Sequence, residues 1–148
     1  MPNKNNKKIH KKILIVEDDL PTLEAVSLEI SKKGIHADTA LNGEEAIEKI
    51  KREKYDLILL DLLLPKKSGF EVIKEVRADA ASKNIKIVVF SNLGQNGNVE
   101  KAVELGADKY FIKSDISIKD LIDEILKNLW ILINGLSRAD NTRAQALR

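Results

Sequence analysis

The segment DLILLDLLLPKKSGFEV, residues 56–72, decides the fold. Its first four apolar residues are typical of a strand buried on both faces, and Asp61 follows them directly. Pro65 ends the extended segment, and Ser68 with Glu71 fits the capping box that starts a helix. The segment therefore predicts a buried strand, an acid at its end, and a helix that returns along the sheet.

Apolar, β-favouring runs recur along the chain, separated by segments whose apolar residues have helical spacing. The runs are Ile13–Val16, Ile35–Thr39, Leu57–Leu60, Ile85–Phe90 and Tyr110–Ile112. The helical pattern comprises Leu23, Val26, Leu28 and Ile30 in the first segment, and Val99, Ala102, Val103 and Leu105 in the fourth. Five strands alternating with five helices predict an α/β protein with a flavodoxin-like, doubly wound parallel sheet.

The order of the strands follows from their composition. Strands 1, 3 and 4 are almost wholly apolar, as central strands are, whereas Ile35–Thr39 alternates as an edge strand does. We expect the strand order 2-1-3-4-5 in a single domain that spans residues 13–133. Gly34 and Gly106 fit positions just after helix ends.

The composition excludes several classes of function. The chain has 148 residues, of which 43% are hydrophobic and 32% charged, and it has no cysteine. Disulfides, thiolate metal sites and cysteine nucleophiles are therefore excluded. Because neither a signal peptide nor an apolar stretch of membrane length is evident, we expect a cytoplasmic protein without membrane association.

Positive charge is concentrated at the two ends. Residues 1–12 carry five lysines and no acid, and we expect a disordered tail there. Residues 134–148 form a second polar tail, which is either native or vector-encoded. The remainder, residues 13–133, is net acidic, which argues against direct nucleic acid binding. Leu129–Ile133 is wholly apolar and either packs against the domain or forms a surface for a partner.

Polar side chains follow the strand ends that this order brings to one edge of the sheet, where ligands bind in such folds. They are Glu17, Asp18 and Asp19 after strand 1, Asp61 after strand 3, Ser91 and Asn92 after strand 4, and Lys113 after strand 5. Each has an ordinary interpretation by itself: Asp18 or Asp19 as a helix cap, the others as turn residues or a solvated lysine. Their convergence at one edge favours a functional site.

The chemistry of these groups narrows the function. Several carboxylates at close range raise one another's pKa, and a divalent cation relieves their repulsion. Oxygen ligands without histidine or cysteine favour Mg²⁺. A carboxylate nucleophile, a metal, a hydroxyl and a lysine are the groups that phosphoryl transfer requires, because that chemistry depends on positioning and charge stabilisation.

Four stretches, in this order, resemble the receiver domain of two-component response regulators. They are ILIVEDD (13–19), the segment 56–72, VVFSN (88–92) and ADKYFIK (107–113). The resemblance implies that Asp61 accepts a phosphoryl group from a phosphohistidine on a sensor histidine kinase or a histidine phosphotransfer protein. It also implies a Mg²⁺ ion bound by Asp18, Asp61 and the backbone carbonyl of Leu63, with Glu17 acting through water.

The resemblance further implies how the signal is read. Ser91 and Lys113 would contact phosphoryl oxygens, and Ser91 and Tyr110 would move between two states of the domain. The face formed by helix 4, strand 5 and helix 5 would then bind a downstream protein or a second copy of the chain. The expected protein is a stand-alone regulator that catalyses its own phosphorylation and dephosphorylation rather than a conventional turnover enzyme.

Three departures from the family pattern matter. Ser114 replaces the proline that often follows the lysine, which removes the usual reason for a cis peptide bond. Asn92 occupies a position where a small residue is common. Leu63 and Leu93 flank the site and cannot orient a hydrolytic water, so we expect a long-lived acyl phosphate.

Three other functions compete with this interpretation. A haloacid-dehalogenase-like phosphatase needs a second aspartate two residues after the first, where this chain has Leu63. A flavodoxin-like cofactor binder needs a phosphate-cradling loop after strand 1, where this chain has three acids. A pseudo-receiver that binds proteins without phosphorylation stays open as the alternative function.

Overall fold

The computed structural model describes residues 11–95 and 97–133, the last six by their backbone alone. Residues 1–10 of the expected basic tail and residues 134–148 lie outside the described residues. The strands are β1 (Lys12–Val16), β2 (His36–Ala40), β3 (Leu57–Leu60), β4 (Lys86–Ser91) and β5 (Lys109–Ile112). The helices are α1 (Leu20–Lys32), α2 (Gly43–Arg52), α3 (Gly69–Ala78), α4 (Asn98–Leu105) and α5 (Ile118–Ile133), with a 3₁₀ turn at Lys113–Asp115.

The five strands form one parallel sheet in the order β2-β1-β3-β4-β5, which confirms the predicted topology and the flavodoxin-like α/β class. Val16 pairs with Leu60, and Leu60 pairs with Val89. The central strands β1 and β3 therefore end level with each other, while β4 extends two residues further to Ser91, and the residues at these three strand ends share one edge of the sheet.

Each face of the sheet has its own apolar core, since successive side chains of a strand point to opposite faces. Leu14, Leu60 and Val89 pack with residues of α2 and α3 on one face. Ile13 and Leu59 pack with residues of α1 and α5 on the other. Because helices cover both faces of the sheet, a ligand can reach the residues at the carboxyl ends of the strands. These strand ends form the accessible edge.

Side-chain caps start four of the helices, α1, α2, α3 and α5. Asp19, rather than Asp18, caps α1, and Asn42 caps α2. Ser68 and Glu71 form the predicted capping box of α3. Gly34 and Gly106 follow α1 and α4 with φ angles of +74° and +121°, a region that glycine enters without strain.

Two apolar residues of the predicted helical patterns do not contribute to the core. The side chains of Leu28 and Val103 are exposed, at 56% and 46%. Leu28 lies two residues from both Val26 and Ile30, which places it on the opposite side of the helix from these buried residues. The buried stripe of α1 is therefore narrower than the apolar composition indicates.

The peptide bonds of the described residues contain no cis isomer, so Lys113 and Ser114 enter the 3₁₀ turn through a trans bond. The side chains of the apolar run Leu129–Ile133 lie outside the described residues. Among the helices that the structure describes, none is both long and apolar enough to cross a bilayer.

Candidate functional site

Asp61 lies at the carboxyl end of β3, in the centre of the accessible edge. Its amide donates a 3.0 Å hydrogen bond to the carbonyl of Val16, which extends the β1–β3 pairing by one residue. Only 6% of the residue is exposed. The main chain thus holds the Asp61 carboxylate at a fixed place just below the surface.

Three donors contact the Asp61 carboxylate. Ser91 Oγ donates a 2.7 Å hydrogen bond to Oδ1, and the amide of Leu63 donates a 3.1 Å bond to the same oxygen. Lys113 Nζ lies 2.9 Å from Oδ2. The hydroxyl and the ammonium that the sequence places after strands 4 and 5 therefore do converge on Asp61.

Glu17 is the second buried acid of the site, and it forms an ion pair with the same Lys113. Burial, together with the charge of Asp61, raises the pKa of Glu17 to about 7 against the opposing effect of Lys113. Burial lowers the pKa of Lys113, but its hydrogen bonds to the two carboxylates outweigh this, so the net shift is upward. The lysine therefore stays charged at neutral pH.

Three carboxylates form a potential metal site. Glu17, Asp18 and Asp61 each offer one oxygen, and these oxygens lie within 4.8 Å of one another. Asp18 is exposed at the mouth of the site. A donor set of oxygens alone fits a hard divalent ion such as Mg²⁺. The predicted role of the Leu63 carbonyl as a ligand stays a prediction.

Tyr110 links β5 to the loop that begins at Ser91. Its hydroxyl donates to the carbonyl of Leu93, and its half-buried ring packs against the core that contains α2 and α3. Burial, together with the charge of Asp61, raises the pKa of Tyr110. The two residues predicted to move together are thus joined through one short loop. Asn92, between Ser91 and Leu93, is exposed.

Sequence reasoning missed two residues beside the site. The ring of Phe90 lies 5.7 Å from Lys113 Nζ, within the range of a cation–π contact. Gly69, at the start of α3, lies against the main chain of Asp61. A signal for Gly69 was present, since glycine is an unfavourable choice within a predicted helix.

The family model for the response regulator receiver domain matches residues 13–126. The chain belongs to this receiver domain family. The receiver domain is 36% identical over 102 residues to the transcriptional regulatory protein DltR of Streptococcus agalactiae, a match that covers 69% of this chain and 45% of DltR. This chain therefore spans less than half the length of that relative.

Solved structures resemble the receiver domain over most of its length. A two-component response regulator from Clostridium difficile is 30% identical with a TM-score of 0.76, and the match covers 84% of this chain and 99% of the other. The response regulator TrrA of Thermotoga maritima, solved in complex with Mg²⁺-BeF, is 34% identical with a TM-score of 0.69 and coverages of 80% and 98%.

Proposed function

We propose that this receiver domain accepts a phosphoryl group on Asp61 from a phosphohistidine of a sensor histidine kinase or a histidine phosphotransfer protein. One observation carries the proposal. The Asp61 carboxylate contacts a hydroxyl and an ammonium at once, while the oxygens of two further acids lie within 4.8 Å of it. An acid that served only as a turn former would need none of these partners.

The chain's own groups account for the transfer. A carboxylate oxygen of Asp61 attacks phosphorus, and the phosphorus–nitrogen bond of the phosphohistidine breaks. The imidazole leaves with the electron pair and takes up a proton from solvent. Ser91 and Lys113 already donate to the two oxygens of Asp61, so small movements suffice for them to contact phosphoryl oxygens instead.

Charge explains the need for a metal. Glu17, Asp18 and Asp61 bring three acids together against the single ammonium of Lys113, and an incoming phosphoryl group adds further negative charge. Asp18 and Asp61, with the Leu63 carbonyl and with Glu17 through water, would hold a Mg²⁺ ion. Bound Mg²⁺ would neutralise this charge on the carboxylate and phosphoryl oxygens.

The signal would pass through Ser91 and Tyr110. A phosphoryl group that draws Ser91 away from Asp61 changes the loop to which Tyr110 is bonded through Leu93. The α4-β5-α5 face would then favour a downstream protein or a second copy of the chain. We place this activity in the cytoplasm and propose that residues 13–133 act through protein contacts, without nucleic acid or membrane binding.

The test is incubation with acetyl phosphate and Mg²⁺, followed by measurement of the intact mass. We expect one added phosphoryl group on the wild type and none on Asp61→Asn. Asp56→Asn, which changes an acid just before the other end of the same strand, is the matched control and should be phosphorylated normally. An unmodified wild type that is folded and binds Mg²⁺ would refute the proposal and favour the pseudo-receiver.

A further inference from the structure

Gly69 is the first residue of α3, and it lies against the main chain of Asp61. Its amide donates a 3.0 Å hydrogen bond to the carbonyl of Leu62. A β-carbon added at Gly69 would lie 2.4 Å from the carbonyl oxygen of Asp61 and 2.6 Å from the α-carbon of Leu62. Both neighbours are main-chain atoms, so neither can rotate away as a flexible side chain does.

Backbone conformation does not explain the glycine. The φ angle of Gly69 lies outside the left-handed region that favours glycine, and the residue begins a regular helix. In a helix, glycine is less favourable than alanine. What the glycine provides is therefore space for the Asp61 carbonyl.

The surroundings of Asp61 and α3 leave little room for adjustment. On one side, the Asp61 amide donates a hydrogen bond to the carbonyl of Val16 in β1. On the other, the reciprocal hydrogen bonds between Ser68 and Glu71 fix the start of α3. The main chain of Asp61 is thus confined between β1 and the first turn of α3.

We propose that Gly69 is a positioning residue for Asp61. Its bare α-carbon lets α3 rest on the Asp61 carbonyl, and this contact directs the carboxylate towards Ser91 and Lys113. For the rate of phosphoryl acceptance the inference rests on the proposed function. For Mg²⁺ affinity it depends only on the placement of the Asp61 carboxylate.

The chain contains a matched control in Gly43. This glycine is the first residue of α2, also follows a side-chain cap, and also has no positive φ angle. A β-carbon there would lie 2.1 Å from the carbonyl oxygen of Lys67, again a main-chain atom. Gly43→Ala and Gly69→Ala therefore create similar collisions, of which only the second is with Asp61.

The two variants are compared by thermal unfolding, by Mg²⁺ titration calorimetry, and by the saturating rate of phosphorylation with acetyl phosphate. Both should unfold at lower temperature. We expect Gly69→Ala to lose roughly tenfold or more in the saturating rate and to bind Mg²⁺ more weakly, because small misplacements of a reacting group are costly. Gly43→Ala should keep both values near those of the wild type.

Equal losses in the two variants, or a wild-type rate and Mg²⁺ affinity in folded Gly69→Ala, would overturn the proposal. Should Gly69→Ala fail to fold, the same measurements are made on two milder variants. These are Ser68→Ala and Asn42→Ala, which remove the side-chain caps of α3 and α2. Only Ser68→Ala should weaken Mg²⁺ binding, and its failure to do so counts against Gly69. A wild type that binds Mg²⁺ but takes no phosphoryl group contradicts only the proposed function. The Mg²⁺ affinities of the variants then still decide whether Gly69 positions Asp61.

Discussion

Ser91 Oγ donates a 2.7 Å hydrogen bond to Oδ1 of Asp61, across 30 residues of sequence. The bond is buried; Ser91 is the last residue of β4, and Asp61 directly follows the neighbouring strand β3. The contact therefore depends on the register of β3 and β4 rather than on local structure.

The ammonium of Lys113 neutralises two buried acids, and its removal should destabilise the protein. In Lys113→Met, Glu17 and Asp61 would face each other without a cation, and breaking a buried pair costs about 3–5 kcal/mol. We expect a loss approaching this size in the free energy of unfolding at alkaline pH, because removal of Lys113 lets the pKa of Glu17 rise above about 7 and makes ionisation of Glu17 in the folded state more costly. Urea denaturation without Mg²⁺ measures it.

Addition of Mg²⁺ separates this effect from a general loss of packing. Mg²⁺ should return part of the lost stability to Lys113→Met, since the ion replaces the missing positive charge. Lys109→Met, at the start of the strand that Lys113 follows, breaks the ion pair with Glu124 instead. A Mg²⁺-dependent gain no larger in Lys113→Met than in Lys109→Met would contradict the assigned role of Lys113.

Asp38 should govern how the free energy of unfolding falls at acid pH. Burial opposes its ionisation, but three hydrogen-bond donors outweigh burial and lower its pKa to about 2. These donors are Tyr55, His36 and Lys12. A pKa lowered on folding from 3.8 to about 2 stabilises the protein above pH 3.8, and this contribution is lost as the pH falls through 2.

The shift corresponds to about 2 kcal/mol of unfolding free energy. Urea denaturation between pH 5 and pH 2 should show this loss in the wild type and not in Asp38→Asn. Asp123→Asn, which changes a half-exposed acid on α5, should retain the full wild-type slope. If Asp38→Asn loses as much stability as the wild type between pH 5 and pH 2, another acid causes the loss.

Much of the site could be predicted because it follows from topology. Once β1, β3, β4 and β5 are ordered, the residues after them must meet at one edge, and Asp61, Ser91 and Lys113 do so. The bond from Tyr110 to Leu93 and the contact of Gly69 with Asp61 depend on how a side chain turns or how closely two backbones approach. Neither quantity is encoded in strand order or apolar spacing.

The fold likewise combines features that the sequence predicts with features that it does not. Strand order could be predicted because buried and edge strands differ in composition. The exposure of Leu28 could have been predicted from the helical rotation that separates it from Val26 and Ile30. Its apolar character alone indicates a buried residue instead. The guanidinium of Arg77, which joins α3 to the loop before β5, carries no signal in the sequence.

Arg77 should stabilise the fold without affecting the site. Its Nη2 lies 2.8 Å from Oδ2 of Asp108, whose side chain is only 2% exposed, and Nε and Nη2 also bond the carbonyl of Gly106. Arg77→Met removes the guanidinium from this carboxylate, which we expect to cost about 3 kcal/mol. Phosphoryl acceptance per folded molecule should be unchanged, because the pair lies near the opposite edge of the sheet. A loss of acceptance without a loss of stability would contradict this division of roles.

Leu63 should set the lifetime of the acyl phosphate. Its amide is bonded to Asp61, and its side chain, 56% exposed, flanks the mouth of the site. A leucine cannot orient an attacking water, whereas an amide or carboxylate can. We expect Leu63→Asn to shorten the half-life of phosphorylated Asp61 severalfold, as measured by the decay of the phosphoryl mass after removal of acetyl phosphate. Leu28→Asn is the matched control, because Leu28 is equally exposed on α1, away from the site. Unchanged or slower decay in Leu63→Asn, with Leu28→Asn at the wild-type rate, would show that water reaches the phosphoryl group by another route.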